Sequence, residues 1–117
     1  MISRDFADHF ARDWIEAWNS HDLDRILAHY TEDFVMSSPY IAQVVGEPSG
    51  TLHGKPAIRA YWAAALSRSP QLHFEPIRTL VGADSVTIHY RGVRGLAAEV
   101  FFFDGVGLVC RAAAHYE

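Results

Sequence analysis

An α+β fold is predicted for this chain of 117 residues by three observations. Helical spacing of apolar residues is confined to the first part of the chain, as far as Ser67, and strand-like segments fill the rest. The strand-like segments are joined by short, Gly-containing connections, Gly82-Ala83-Asp84, Gly92-Val93-Arg94-Gly95 and Asp104-Gly105-Val106-Gly107. Such connections mark hairpins, so the sheet is expected to be mainly antiparallel. Helices precede strands instead of alternating with them, which argues against a parallel α/β sheet. The length fits one domain over residues 1–117 with a single core.

Ser3 to Asn19 forms the first predicted helix, with Ser3 as N-cap. Phe6, Phe10, Trp14 and Trp18 recur every four residues and make one aromatic stripe. Asn19-Ser20-His21-Asp22 breaks this helix, and Asp22 caps a second, from Leu23 to Tyr30, with Leu23, Ile26, Leu27 and Tyr30 inward. Phe34 to Ser38 reads as a short strand ended by Pro39. Tyr40 to Gly54 reads as a long loop, with an edge strand over Tyr40–Val45 as the alternative, and a loop of this length in a small domain points to function. His53-Gly54-Lys55-Pro56 opens a third helix that runs to Ser67, with Pro56 in the first turn, where its missing N–H costs nothing. Strands are expected over Leu72–Val81, Ser85–Gly92, Leu96–Asp104 and Gly107–Tyr116.

Composition narrows the function classes. Half of the residues are hydrophobic and 13% are aromatic, as in a folded globular protein. The formal net charge is −4, and Lys and Arg form no cluster, which removes nucleic acid as an expected partner. The single Cys110 excludes an internal disulfide and fits a reducing compartment. Met1-Ile2-Ser3-Arg4-Asp5 does not read as a signal peptide, and no apolar run reaches the length of about 18 residues that a membrane span requires. A soluble, cytoplasmic protein without a membrane partner is expected. The seven histidines show neither His-x-His nor HExxH spacing, so no metal and no cofactor is expected.

Glu99 is the residue that stands out. It lies inside Leu96–Asp104, an apolar strand, with Ala97 and Ala98 before it and Val100 to Phe103 after it. Such a carboxylate is at an edge, is paired, or is kept for chemistry; Lys55, Arg59 and Arg78 are candidate partners for a pair. Side chains alternate along a strand. A tight hairpin centred on Val93-Arg94 pairs Glu99 with Ile88 and Phe101 with Val86. If Phe103 faces Leu108 in the next hairpin, Phe101 meets Cys110 and Glu99 meets Ala112. Glu99 then shares a face with Val86, Ile88, Tyr90, Phe101, Phe103, Leu108, Cys110, Ala112, Ala114 and Tyr116. This face is the more apolar and is expected to meet the helices. The other face carries Thr87, His89, Val100, Phe102, Val109, Arg111, Ala113 and His115, with an apolar centre of Val100, Phe102 and Val109 suited to a homodimer contact.

The order of elements, together with Trp18-Asn19-Ser20-His21-Asp22-Leu23-Asp24, Tyr30-Thr31-Glu32-Asp33-Phe34, Ser37-Ser38-Pro39, His53 to Trp62 and Phe103-Asp104, resembles the nuclear-transport-factor-2-like superfamily. Its SnoaL-like and ketosteroid-isomerase-like bacterial members are the nearest in pattern. The resemblance spans nearly the whole chain. It implies a cone, in which a curved, mixed, mainly antiparallel sheet wraps around three N-terminal helices, with a pocket at the open end and dimers through the outer sheet face. It implies a protonated acid at Glu99 and supporting aromatic residues at Tyr30 and Trp62. Trp14 stands where the isomerase-like pattern has an oxyanion-binding tyrosine, and Ser38 where it has the general-base aspartate, so steroid isomerisation by that mechanism is not expected.

The candidate catalytic residue is therefore Glu99. A buried Glu can hold its proton to a pH of about 8–9 and then donate a hydrogen bond to a developing oxyanion, or act as a base once ionised. Ser38 has no adjacent base and reads as a polar wall. Trp14, Trp18, Tyr30, Tyr40, Trp62, Ile88, Tyr90, Phe101, Ala112 and Tyr116 complete the expected pocket lining. The function expected is that of a small hydrophobic-ligand pocket protein, an isomerase-, cyclase- or dehydratase-like enzyme acting on a carbonyl- or hydroxyl-bearing compound. A non-catalytic binder of a hydrophobic metabolite and a dimerisation module are the alternatives.

Overall fold

The computed structural model describes residues Met1–Glu117. Its elements are α1 (Arg4–Ser20), α2 (Leu23–Leu27), β1 (Tyr30–Ser37), α3 (Pro39–Val45), β2 (Thr51–His53), α4 (Lys55–Arg68), β3 (Glu75–Val81), β4 (Ser85–Gly92), β5 (Gly95–Phe103) and β6 (Val109–Tyr116). The strands form one curved sheet in the order β2-β1-β6-β5-β4-β3. All neighbours are antiparallel except β1 and β6. This is the α+β cone expected, with a fourth helix added.

Local chemistry accounts for the helix starts. Ser3 Oγ accepts from the Phe6 backbone N–H, and Asp22 accepts from the N–H groups of Asp24 and Arg25, which satisfies donors that have no partner within the helix. Tyr30, expected to end α2, instead opens β1. Tyr40–Val45 is helix α3, not an edge strand or loop. Ser38 caps it by accepting from Tyr40 N–H, and Pro39 occupies its first turn. This Ser-Pro pairing is a helix-start signal that overrides the β-branched Ile41, Val44 and Val45. The return to β2 needs Gly50, whose φ is +68°; an added Cβ there would lie 3.1 Å from the Ser38 carbonyl oxygen.

The β4–β5 hairpin has the expected register, Ile88 opposite Glu99 and Val86 opposite Phe101. The β5–β6 register is shifted by two residues from expectation. Glu99 faces Ala114 and Phe101 faces Ala112. The cause is a larger turn: Asp104 accepts from the backbone N–H groups of Val106 and Leu108, and its own N–H donates to the Leu108 carbonyl. A shift of two preserves the facing of Ala112, Ala114 and Tyr116. A bulge between Phe102 and Phe103 then reverses the residues beyond it, so that Phe103 pairs with Val109. Val109 is fully buried in the core and is not part of the outer face as expected. Cys110 lies at the bulge, its thiol 3.5 Å from the Phe102 carbonyl oxygen.

One cluster of buried apolar side chains fills the space between sheet and helices. The aromatic stripe of α1 is its spine. Phe10 meets Phe101 and Phe103 edge to face at 4.9 Å, and Trp14 meets Phe101 at 5.1 Å. Phe6, at the rim, packs its edge on Phe103. No helix is long and apolar enough to cross a membrane.

Candidate functional site

Only two polar residues are buried, Ser38 and Glu99, each 4% exposed. Both line the same cavity of about 130 Å³ at one end of the cone. Its apolar wall comes from α1 (Trp14, Trp18), α4 (Trp62, Ala65) and the segment before β3 (Leu72, Phe74). Its opposite side comes from α3 (Tyr40, Val44), the β4–β5 turn (Gly92 to Gly95) and the sheet residues Tyr90, Ala97, Glu99 and Tyr116.

Glu99 is neither at an edge nor ion-paired. It lies on β5, in the interior of the sheet, between Ile88 and Ala114. Two of its three candidate partners are engaged elsewhere, Arg59 with Asp24 at 2.7 Å and Lys55 with Glu32 at 3.3 Å. Arg78 pairs in register with His89 on the outer face of the sheet. The hydrogen-bond partner of Glu99 is Tyr90, whose hydroxyl donates to Oε1 at 3.4 Å. Burial pushes the Glu99 carboxyl up to about 8, against the opposing but smaller effect of the Tyr90 hydrogen bond. The carboxyl therefore holds its proton at neutral pH. Burial together with the nearby Glu99 also holds the Tyr90 and Tyr116 phenols well above their ordinary range, so both remain neutral donors.

Of the residues expected in the pocket, Trp14, Trp18, Ser38, Tyr40, Trp62, Tyr90, Tyr116 and Glu99 line the cavity, and Tyr30, Ile88, Phe101 and Ala112 do not. Ile88 and Phe101 are fully buried and Ala112 nearly so, packed within the core. Tyr30 lies beneath the wall. Its hydroxyl accepts from Trp14 Nε1 at 2.9 Å, and its ring packs on Phe34 and Trp62. Trp14 thus presents only its ring to the cavity. The Trp18 indole nitrogen, by contrast, is buried with no acceptor in the protein. Ser38 combines two tasks. Its hydroxyl accepts from the Tyr40 N–H as helix cap, and it adjoins the Tyr61 and Tyr116 phenols, easing the upward push of burial on both.

Sequence reasoning missed Tyr61, Arg68, Phe74 and Arg94. Tyr61 and Arg94 were visible as a helix-face residue and a turn residue, but nothing local aims them at a cavity. The signal for Phe74 was Asn19, read only as a helix breaker. Asn19 Nδ2 donates to the Phe74 carbonyl at 3.0 Å and its Oδ1 accepts from the Phe74 N–H at 2.7 Å. His21, in the left-handed conformation that ends α1, bonds the Leu72 carbonyl through Nε2 at 2.8 Å. The two side chains pin Leu72–Phe74 to the end of α1. Phe74 then stacks on Trp14 at 5.6 Å and packs on Tyr90 at 4.7 Å.

A curved sheet closed over helices, with one inward carboxyl toward its open end, defines an α+β domain of the nuclear-transport-factor-2-like class. The model of the SnoaL-like domain matches residues 11–117, and the chain belongs to this family. Among solved structures, a SnoaL-like protein of unknown function from Burkholderia thailandensis is 57% identical, with a TM-score of 0.97 over 99% of this chain and 98% of that one. An NTF2-like protein of unknown function from Burkholderia pseudomallei is 18% identical, with a TM-score of 0.76 over 99% of this chain and 92% of that one. SalBIII, an epoxide hydrolase/cyclase-like enzyme in pyran ring formation in the polyether salinomycin, is 18% identical, with a TM-score of 0.79 over 100% of this chain and 95% of that one. At such identities the last two show a shared fold alone. Among curated proteins none matches the sequence.

Proposed function

We propose that the cavity binds a compact hydrophobic molecule bearing a carbonyl, ether or hydroxyl oxygen, and that Glu99 is the acid that acts on this oxygen. The observation that carries the reading is an unpaired carboxyl, 4% exposed, within an aromatic-walled cavity. Isomerase-, cyclase- and dehydratase-like reactions share one demand, a proton or hydrogen bond delivered as negative charge develops on oxygen. A protonated Glu99 meets it, with the Tyr90 hydroxyl 3.4 Å from its carboxyl. The cyclase-like activity of SalBIII on the same fold agrees with chemistry of this kind.

A non-catalytic binder is the second reading, and a specific observation favours it. Glu99 is the one carboxylate in the lining, and Ser38 is committed to capping α3, so no second proton-transfer pair accompanies the acid. One experiment addresses both. Wild type and Glu99→Gln are purified from the same cells, and whatever small molecule each retains is extracted, identified by mass and tested for conversion. The expected result is a carbonyl-, ether- or hydroxyl-bearing compound retained by wild type, depleted in the variant and turned over only by wild type. Retention without turnover by either protein establishes the binder. Equal retention and turnover by both overturns the role of Glu99.

The same reading includes a homodimer through the outer sheet face. With Val109 withdrawn into the core, that face has Val100, Phe102 and Ala113 at its centre and Leu80 on the edge strand β3, and Arg111 lies over the Phe102 ring at 4.0 Å. It also includes a cytoplasmic setting, which suits a chain whose one cysteine is unpaired.

A further inference from the structure

The mouth of the cavity carries charge that its floor does not balance. Arg68, at the end of α4, and Arg94, in the β4–β5 turn, both line it. Neither takes part in any of the chain's five ion pairs. The Arg94 guanidinium lies over the Tyr40 ring, 3.8 Å from its centroid, and Tyr40 packs on Tyr116 at 4.6 Å. A cation held by an aromatic face is positioned without being neutralised. Both arginines act on the Tyr61 phenol, which adjoins Ser38, so their charges converge on one side of the mouth. The only carboxylate in the lining is Glu99, whose acid form prevails at neutral pH. The mouth is therefore cationic in a chain whose net charge is −4. A shallow groove of about 440 Å³ continues outward, sharing Arg68, Ser69, Leu72 and Val93 with the cavity. A charged group at this junction keeps part of its hydration.

Volume limits the other end of the ligand. The cavity measures about 130 Å³, and an apolar cavity of about 150 Å³ holds a single benzene ring. A fused polycyclic body does not fit within it.

We propose that the ligand of this cavity is a single-ring organic acid. Its ring lies among Trp14, Trp18, Trp62 and Phe74, its oxygen substituent points toward Glu99, and its carboxylate pairs with Arg94 and Arg68 at the mouth. The assignment rests on the ligand-binding reading above and names the substrate class for it. Arginine is suited to the task because its planar fork can grip a carboxylate through two hydrogen bonds.

The test compares two probes that differ only in charge, 4-hydroxyphenylacetate and 4-hydroxyphenylacetamide, by calorimetry on wild type and on the Arg68→Gln/Arg94→Gln double variant. All three tryptophans of the chain line the cavity, so a change in tryptophan fluorescence locates the binding. The acid is expected to bind wild type about tenfold more tightly than the amide, as one charge-assisted contact allows. The double variant is expected to lose that preference and keep its affinity for the amide. Equal affinities in wild type, or a preference that survives in the double variant, overturn the acid class and leave the ligand-binding reading intact. Binding of neither probe overturns both the acid class and a cavity sized for one ring.

Discussion

Glu99 couples the cavity to the stability of the molecule. Its carboxyl titrates near 8 in the folded protein, against an ordinary value of 4.5. The folded state therefore holds a proton that the unfolded chain releases between these two values. The stabilisation this gives is complete below the unfolded value and is lost as pH rises through the folded one. Wild type is expected to lose on the order of a few kcal/mol of stability from this group between about pH 5 and about pH 9. Glu99→Gln, neutral throughout, should flatten that part of the profile; calorimetric Tm values across the range check it. Asn19 is the second residue with reach beyond itself, because one amide satisfies both backbone groups of Phe74. Asn19→Ala is expected to cost about 2 kcal/mol by urea denaturation, since two buried-side hydrogen bonds are lost. It should also alter the tryptophan fluorescence through the displaced Phe74 ring.

At the scale of elements, α3 forms one side of the cavity mouth. It brings Tyr40 and Val44 over the mouth, and its start depends on Ser38, which is itself held by a hydrogen bond from its N–H to the Gly50 carbonyl at 2.8 Å. Ser38→Ala removes the cap and the polar neighbour of Tyr61 and Tyr116 at once. A loss of about 1 kcal/mol is expected, with faster amide exchange confined to Tyr40–Val45. An unchanged exchange rate there would show that packing of Ile41, which is fully buried, holds the helix without its cap. The α1 stripe divides its labour along its length. Phe10 packs in the closed part of the core, and Trp14 and Trp18 line the open end. Phe101, fully buried between Phe10 and Trp14, belongs to the closed part. Phe101→Ala should cost about 3–5 kcal/mol by denaturation.

For the whole molecule, the sheet has two uses. Its inner face, with Val86, Ile88, Tyr90 and Phe101, closes the core. Its outer face exposes Leu80 at 52% beside Thr87, Val100 and Ala113, which lie in one row across β3, β4, β5 and β6. A charge in the middle of this row should oppose association without touching the cavity. Sedimentation is expected to give a dimer for wild type and a monomer for Val100→Glu, with tryptophan fluorescence unchanged. A wild-type monomer at high concentration removes the dimer proposal.

Glu99 also marks the boundary between what was legible in the sequence and what was not. The α+β class, the capped helices at Ser3 and Asp22, and the inward facing of Glu99 follow from the sequence by itself. They rest on period, capping residues and the tight Val93-Arg94 turn, all of which act over a few neighbouring residues. The tertiary structure alone decided that Glu99 has no cationic partner and that Ile88, Phe101 and Ala112 pack in the core instead of lining the cavity; α3 and the inward turn of Val109, by contrast, rest on local signals, the Ser38-Pro39 helix start and the turn closed by Asp104. The first two depend on contacts between residues far apart in the chain, such as Asn19 with Phe74. Parity tells which face of a strand a residue occupies. How deep it lies on that face is set by sheet curvature and by the helices that cover it.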